Sequence, residues 1–179
     1  MTADMRQAVI LKMAACFVAF PISAPIAAAP PIVHTYAEAD QPIYYGDYFW
    51  DEVGVPRGRA EIVVDLELEQ LYVYRSGVEI GRAMITRGWD EMATPMGTFP
   101  ILEKDADHYS STYDNAPMPY NLRLTWAGVA IHGAEVDDES ATHGCIGIPV
   151  EFARQLFRST RVGDKVLITK RWKPEIYGG

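Results

Sequence analysis

Cysteine is almost missing from this chain. Cys16 and Cys145 are the only two in 179 residues, and neither a C-x-x-C nor an H-E-x-x-H spacing occurs. The disulfide framework of a small secreted scaffold is therefore excluded, and the familiar zinc spacings are absent. Basic residues are also scarce. Sixteen Lys and Arg stand against 24 Asp and Glu, a net charge of −8 with a pI near 4.9. A nucleic-acid partner, which needs a basic face to track phosphates, is not expected. Long apolar runs are confined to one stretch near the start, which excludes a polytopic membrane protein. No internal repeat or low-complexity tract occurs. What is present, 49% hydrophobic and 22% charged residues, suits one globular domain of ordinary size.

The apolar stretch runs from Val9 to Ala29. Arg6 and Lys12 precede Met13 to Phe20, and small residues close it at Ala27-Ala28-Ala29. A basic start, a short apolar core and a small-residue end read as a secretory signal over residues 1–29. Pro21, Pro25, Pro30 and Pro31 argue against the alternative, a buried N-terminal helix. Export places the protein in the periplasm or cell envelope. Removal of residues 1–29 leaves Cys145 as the one cysteine, so no disulfide can form within the mature chain. A single thiol in an oxidising compartment is either buried and inert or kept for chemistry.

Residues 30–59 form a lead-in rich in proline, glycine and aromatics. The cluster Ile43 to Trp50 is too aromatic for a solvated linker. Packing on the domain surface is the favoured reading, and a flap over a cleft is the other. From Ala60 the pattern turns to short strands rich in β-branched and aromatic residues. Strands are expected at 61–66, 70–75, 78–86, 98–104, 121–126, 129–132 and 166–169. Ser76-Gly77 and Ala127-Gly128 make tight turns. The polar stretch Asp105 to Asn115 reads as a loop that, continued to Pro119, is long enough for a lid. One helix is expected, with Pro149 at its first position and an apolar stripe at Val150, Ala153, Leu156 and Phe157. Many short strands and one short helix predict a mainly β domain, a sandwich or barrel, over residues 60–170. Residues 171–179 are a C-terminal tail.

The chemistry gathers around the cysteine. Ala130-Ile131-His132-Gly133 is followed, nine residues on, by Thr142-His143-Gly144-Cys145-Ile146-Gly147. Glycines beside Cys145 let the backbone turn sharply and present the thiol with its neighbouring amides. A nearby histidine, and a helix starting a few residues later, predict a thiolate populated below the usual thiol range. Either His132 or His143 could serve as partner. The N–H groups of His143, Gly144 and Cys145 could hold an oxyanion. His143 could equally brace the loop. A metal site on His132, His143 and Cys145 is the rival, and would need a fourth ligand from the acidic run Glu135 to Glu139. That run reads first as a solvated loop.

These residues resemble the active-site signature of L,D-transpeptidases of the YkuD type. His132-Gly133 and Thr142-His143-Gly144-Cys145-Ile146 carry the likeness. Thr94-Pro95-Met96-Gly97-Thr98-Phe99, Met118-Pro119-Tyr120 and Val162-Gly163-Asp164-Lys165-Val166 match further family segments in the expected order. The resemblance covers roughly residues 60–170 and implies a β-sandwich with one short helix after the cysteine loop. It implies Cys145 as nucleophile, His132 as general base, the Gly133 carbonyl as the group orienting His132, and His143 and Gly144 in the oxyanion loop. Met118, Tyr120 and Arg123 are candidate substrate contacts. The implied partners are peptidoglycan stem peptides, donor and diaminopimelate acceptor, with neither metal nor organic cofactor. The implied reaction releases a terminal D-alanine and forms a 3→3 cross-link. An L,D-carboxypeptidase or amidase would use the same residues, and a non-catalytic wall-binding module would keep only the fold. One departure stands out. The family usually carries Arg or Asn two residues after the cysteine, where this chain has Gly147. Arg87 and Arg123 are the cations that could substitute.

Overall fold

Alternation along the strands builds the architecture. The computed structural model describes residues 43–88, 92–112 and 114–172, and the expected signal segment lies outside them. Strands β1 (Tyr48–Trp50), β2 (Ala60–Asp65), β3 (Gln70–Arg75) and β4 (Val78–Met84) come first. Ile62, Val64, Leu71, Val73 and Ile80 turn one way and are fully buried. Val63, Tyr72 and Tyr74 turn the other way and are covered by Leu167 and Trp172. The Ser76-Gly77 turn carries positive φ at both positions, 52° and 78°, the geometry that matches the twist of a two-residue hairpin.

The chain continues through β5 (Gly97–Pro100), β6 (Glu103–Tyr109), β7 (Pro117–Arg123), β8 (Ala130–Ala134) and β9 (Ile146–Pro149). Helix α1 (Val150–Ser159) and β10 (Lys165–Thr169) complete it. Two sheets result, one in the order β1-β4-β3-β2-β10-β5 and one in the order β6-β7-β8-β9. The β2–β10 and β8–β9 pairs are parallel, and the rest are antiparallel. Core residues from both sheets meet the helix residues Phe152, Ala153 and Leu156.

Three expectations need correction. The single strand expected at 98–104 is two strands in different sheets. The chain crosses between them at Ile101, whose N–H donates to Asp164 O at 2.9 Å, and Leu102, whose N–H donates to Arg123 O at 2.8 Å. The expected loop at 105–115 is largely strand, because Asp105 to Tyr109 pair with Asn121 to Pro117. The tip left between β6 and β7 is short. Finally, Pro149 stands just before the helix as its N-cap residue, with ψ of 134°. Phe152, not Val150, anchors the helix: Val150 is 42% exposed, whereas Phe152 is fully buried.

Of the described lead-in aromatics, Tyr48 and Trp50 reach the helix, while Tyr44 is 71% exposed. Trp50 meets the Phe152 ring edge-on at 5.3 Å, and Tyr48 lies 5.8 Å from it. The far end of α1 is held from the second sheet. Lys104 donates to Thr160 O at 2.6 Å and to Phe157 O, and its ammonium lies 4.3 Å from the Phe157 ring centre. A cation there satisfies carbonyls that the last helical turn leaves open. At the chain's other end, Arg171 and Trp172 donate backbone N–H groups to Asp65, and Trp172 Nε1 donates to Tyr74 at 3.1 Å.

Candidate active site

Parallel pairing of β8 and β9 brings the two motifs together. His132 lies opposite Gly147, so Cys145, just before β9, falls beside the start of β8. Cys145, His132 and His143 line one cleft of about 370 Å³. Met118 and Arg123 line it too. Tyr120 does not: its ring packs 5.9 Å from Phe157, and its backbone is left-handed at φ 58°. Arg87 points elsewhere, its Nε 3.1 Å from Glu69 Oε1.

The histidine is oriented by its own strand. His132 Nδ1 lies 3.0 Å from Gly133 O. A carbonyl can only accept, so Nδ1 carries the proton and the neutral ring keeps its lone pair on Nε2. Burial pulls the His132 pKa below the usual imidazole range. The bond to Gly133 opposes that shift, and the charge of His108 adds to it. Burial pushes the Cys145 thiol above the usual thiol range, against a backbone hydrogen bond from Ala130 and the charge of Arg123. The thiol itself donates to Gly128 O at 3.4 Å. Both shifts favour the uncharged forms. These directions run against the expected thiolate. The helix cannot offset this, since β9 and Pro149 separate its start from Cys145.

The cysteine backbone is fixed by threonines. Thr142 Oγ1 donates to Cys145 O at 2.5 Å, and Thr94 Oγ1 reaches the same oxygen at 3.5 Å. Gly88 N–H donates in turn to Thr94 Oγ1 at 3.0 Å. Thr94, expected as a turn residue, thus supports the Cys145 backbone. Gly144 takes φ of 101°, where a side chain would be strained, and this turns the loop before the cysteine.

Gly147 has a steric explanation. Its N–H and carbonyl exchange hydrogen bonds with Thr86 at 3.0 and 2.9 Å. A Cβ at this position would lie 2.3 Å from Thr86 Oγ1 and 3.0 Å from the Ala134 Cβ. Thr86 occupies the space that a larger residue would need.

Sequence reasoning missed several cleft residues. His108 and Asn121 line the cleft, as do Ser110, Ser111 and Thr112 at the tip between β6 and β7. His108 Nδ1 lies 3.2 Å from Asp105 Oδ2. None sits in a recognisable motif, and only the β6–β7 register could have placed them. Among the described residues, no group of three or more His, Cys, Asp or Glu is arranged to hold a metal ion. The acidic run is exposed at Glu135, Asp138 and Glu139, and Asp137 accepts N–H groups from Glu139 and Ser140 in a local turn.

The YkuD family model, the L,D-transpeptidase catalytic domain, matches residues 59–168. No curated protein sequence matches the chain closely enough to count as a relative. Solved structures are similar in fold. An L,D-transpeptidase from Stackebrandtia nassauensis is 21% identical over 65% of this chain and 58% of that one, with a TM-score of 0.58. One from Mycobacterium tuberculosis H37Rv is 24% identical over 61% and 57%, with a TM-score of 0.57. A mutant L,D-transpeptidase from Enterococcus faecium is 26% identical over 62% and 49%, with a TM-score of 0.55. The matched region thus spans about half to three-fifths of these structures. With the family model covering most of both sheets, the helix, the cysteine and the histidine strand, this chain belongs to the YkuD family of L,D-transpeptidase catalytic domains.

Proposed function

We propose that this domain is a peptidoglycan L,D-transpeptidase of the bacterial cell envelope with Cys145 as its nucleophile. The observation that carries the reading is the Cys145–His132 pair in one cleft, with the histidine tautomer set by Gly133. His132 Nε2 takes the thiol proton as sulfur attacks the carbonyl of the third stem residue. The N–H groups of His143, Gly144 and Cys145 receive the developing oxyanion. His132 returns the proton to the departing amine, and D-alanine leaves as a thioester forms. The side-chain amine of a diaminopimelate on a second stem then attacks the thioester. His132 takes the amine proton and passes it to the departing thiolate, which closes the 3→3 cross-link. A neutral resting pair suits this sequence, because proton transfer accompanies attack in each half-reaction. Met118 and Arg123 contact substrate from the opposite wall. The lead-in segment and the export signal would deliver the domain outside the cytoplasm. Among the described residues, no helix is long and apolar enough to cross a membrane.

The test is mass spectrometry of purified tetrapeptide muropeptides after incubation with residues 30–179, beside a Cys145→Ala control. A cross-linked dimer lacking one D-alanine, absent from the control, is expected. Tripeptide alone would make the enzyme a carboxypeptidase. No change in either sample would leave an amidase or a binding module.

A further inference from the structure

We propose that Asn121 and Arg123 form a carboxylate subsite that binds the C-terminal carboxylate of the residue released from the donor. This rests on the transpeptidase reading and names the part of the substrate that the far wall holds. Asn121 is only 3% exposed, lines the cleft, and makes no side-chain hydrogen bond among the described residues. Its carboxamide is not among the fully buried unpartnered groups, so its donors and acceptor open onto the cleft and are left for a ligand.

Arg123 lies two residues on and lines the same cleft. Its Nε is 3.0 Å from Glu103 Oε2, a half-exposed carboxylate on the outer side, and its guanidinium makes no hydrogen bond among the described residues. The titratable groups lining the cleft are Arg123, His108, His132, His143 and Cys145, with no carboxylate among them. Asp105 reaches the cleft only through His108, and Glu103 only through Arg123. A neutral amide ligand would satisfy Asn121 but leave Arg123 with Glu103 as its only carboxylate among the described residues. A carboxylate takes N–H donors from both. Arg123 pairs with Ala130 in the β7–β8 register, and the Ala130 backbone hydrogen-bonds the Cys145 thiol, so the subsite adjoins the point of attack. In a stem peptide, the carboxylate next to the scissile carbonyl is that of the departing residue.

The first experiment needs no peptide. Alkylation of Cys145 by iodoacetate and by iodoacetamide compares a carboxylate with its amide counterpart. The rate ratio, normalised to N-acetylcysteine at the same pH, is expected to favour iodoacetate about tenfold or more, the scale of charge-assisted hydrogen bonds. Asn121→Leu and Arg123→Gln should each remove most of that preference, and Arg123→Lys only part. Asn121→Ser serves as the second variant if leucine disturbs folding, which a thermal melt would show. Because Asn121 is uncharged, its effect separates a shaped subsite from the general field of the histidines. A normalised ratio near one, or a preference kept in both variants, would overturn the subsite.

The second experiment follows Cys145 thioester formation with a stem tetrapeptide and with its C-terminal carboxamide. A preference for the free acid, expressed in KM and lost in the same variants, is expected. Equal acylation by both would sink the subsite while leaving the transpeptidase reading intact. An iodoacetate preference with acylation by neither would leave the subsite standing and remove the stem-peptide reading.

Discussion

Gly147→Ala should destabilise the fold, and a second truncation at Thr86 should restore part of the loss. The added Cβ would lie 2.3 Å from Thr86 Oγ1, about an ångström inside contact, and 3.0 Å from the Ala134 Cβ. Backbone strain plays no part, since Gly147 is not among the residues with positive φ. Thr86 is 5% exposed and tied to Gly147 by two backbone hydrogen bonds, so neither side moves freely. Overpacking of this kind costs about 1–3 kcal/mol. Thr86→Ala removes the clashing oxygen and leaves the Thr86 Cβ at 3.7 Å, an ordinary contact. Alone it should cost about 1 kcal/mol in lost packing. The double variant should then be more stable than Gly147→Ala, with a coupling energy of about 1–2 kcal/mol. Urea midpoints at constant m measure it, and each kcal/mol moves Tm by about 2–4 °C at this size. A neutral Gly147→Ala, or a double variant no better than the sum of its parts, would refute the reasoning. The arginine usual in the family fails here by the same contact.

Other perturbations test the remaining interactions. Alkylation of Cys145 by iodoacetamide should titrate above the ordinary thiol range, and turnover should begin to rise below pH 6.5 as His132 loses its proton. An alkylation midpoint near pH 6 would indicate a resting ion pair instead. The same shifts have a stability sign. Folding stability should fall as acid protonates the unfolded imidazole before the folded one, and fall again as alkali ionises the unfolded thiol before the folded one. Denaturant midpoints across pH, compared between wild type and His132→Gln, isolate the acid limb. Lys104→Met should cost about 1–2 kcal/mol by chemical denaturation, because two helix carbonyls lose a charged donor. Ser76→Asn should raise the unfolding midpoint by up to about 1 kcal/mol, since asparagine tolerates the left-handed φ of 52° at that turn.

What the sequence made legible was local. The Ser76-Gly77 hairpin, the helix after Pro149 and the His132 and Cys145 motifs each depend on neighbours within a few residues. The strand pairing of Pro117 to Pro119 was hidden by its prolines. They are tolerated because β8 pairs only with Leu122 and Arg123, leaving the earlier part of β7 an edge where a missing N–H costs little. The split of 98–104 was hidden because Phe99 and Leu102 look alike in sequence, yet the chain changes sheets between them. His108 and Asn121 reach the cleft through β6–β7 pairing, a non-local fact that no motif encodes. The thiol's protonation was also beyond sequence. Proximity of a histidine argued for a thiolate, whereas burial pushes the thiol the other way.

The cysteine sits where the two sheets join. Strand β9 pairs with β8 in one sheet, and its Gly147 bridges to Thr86, which follows β4 of the other. Cys145 directly precedes that joint, and its carbonyl is held by threonines from two separate segments. Displacing a nucleophile by an ångström costs orders of magnitude in rate, so a position fixed by both sheets suits the role proposed for Cys145. The opposite wall is built otherwise. Met118, Asn121, Arg123 and the 110–112 tip belong to one hairpin at the edge of its sheet. The fold thus places Cys145 and His132 on the β8–β9 side of the cleft and Met118, Asn121 and Arg123 on the β6–β7 side.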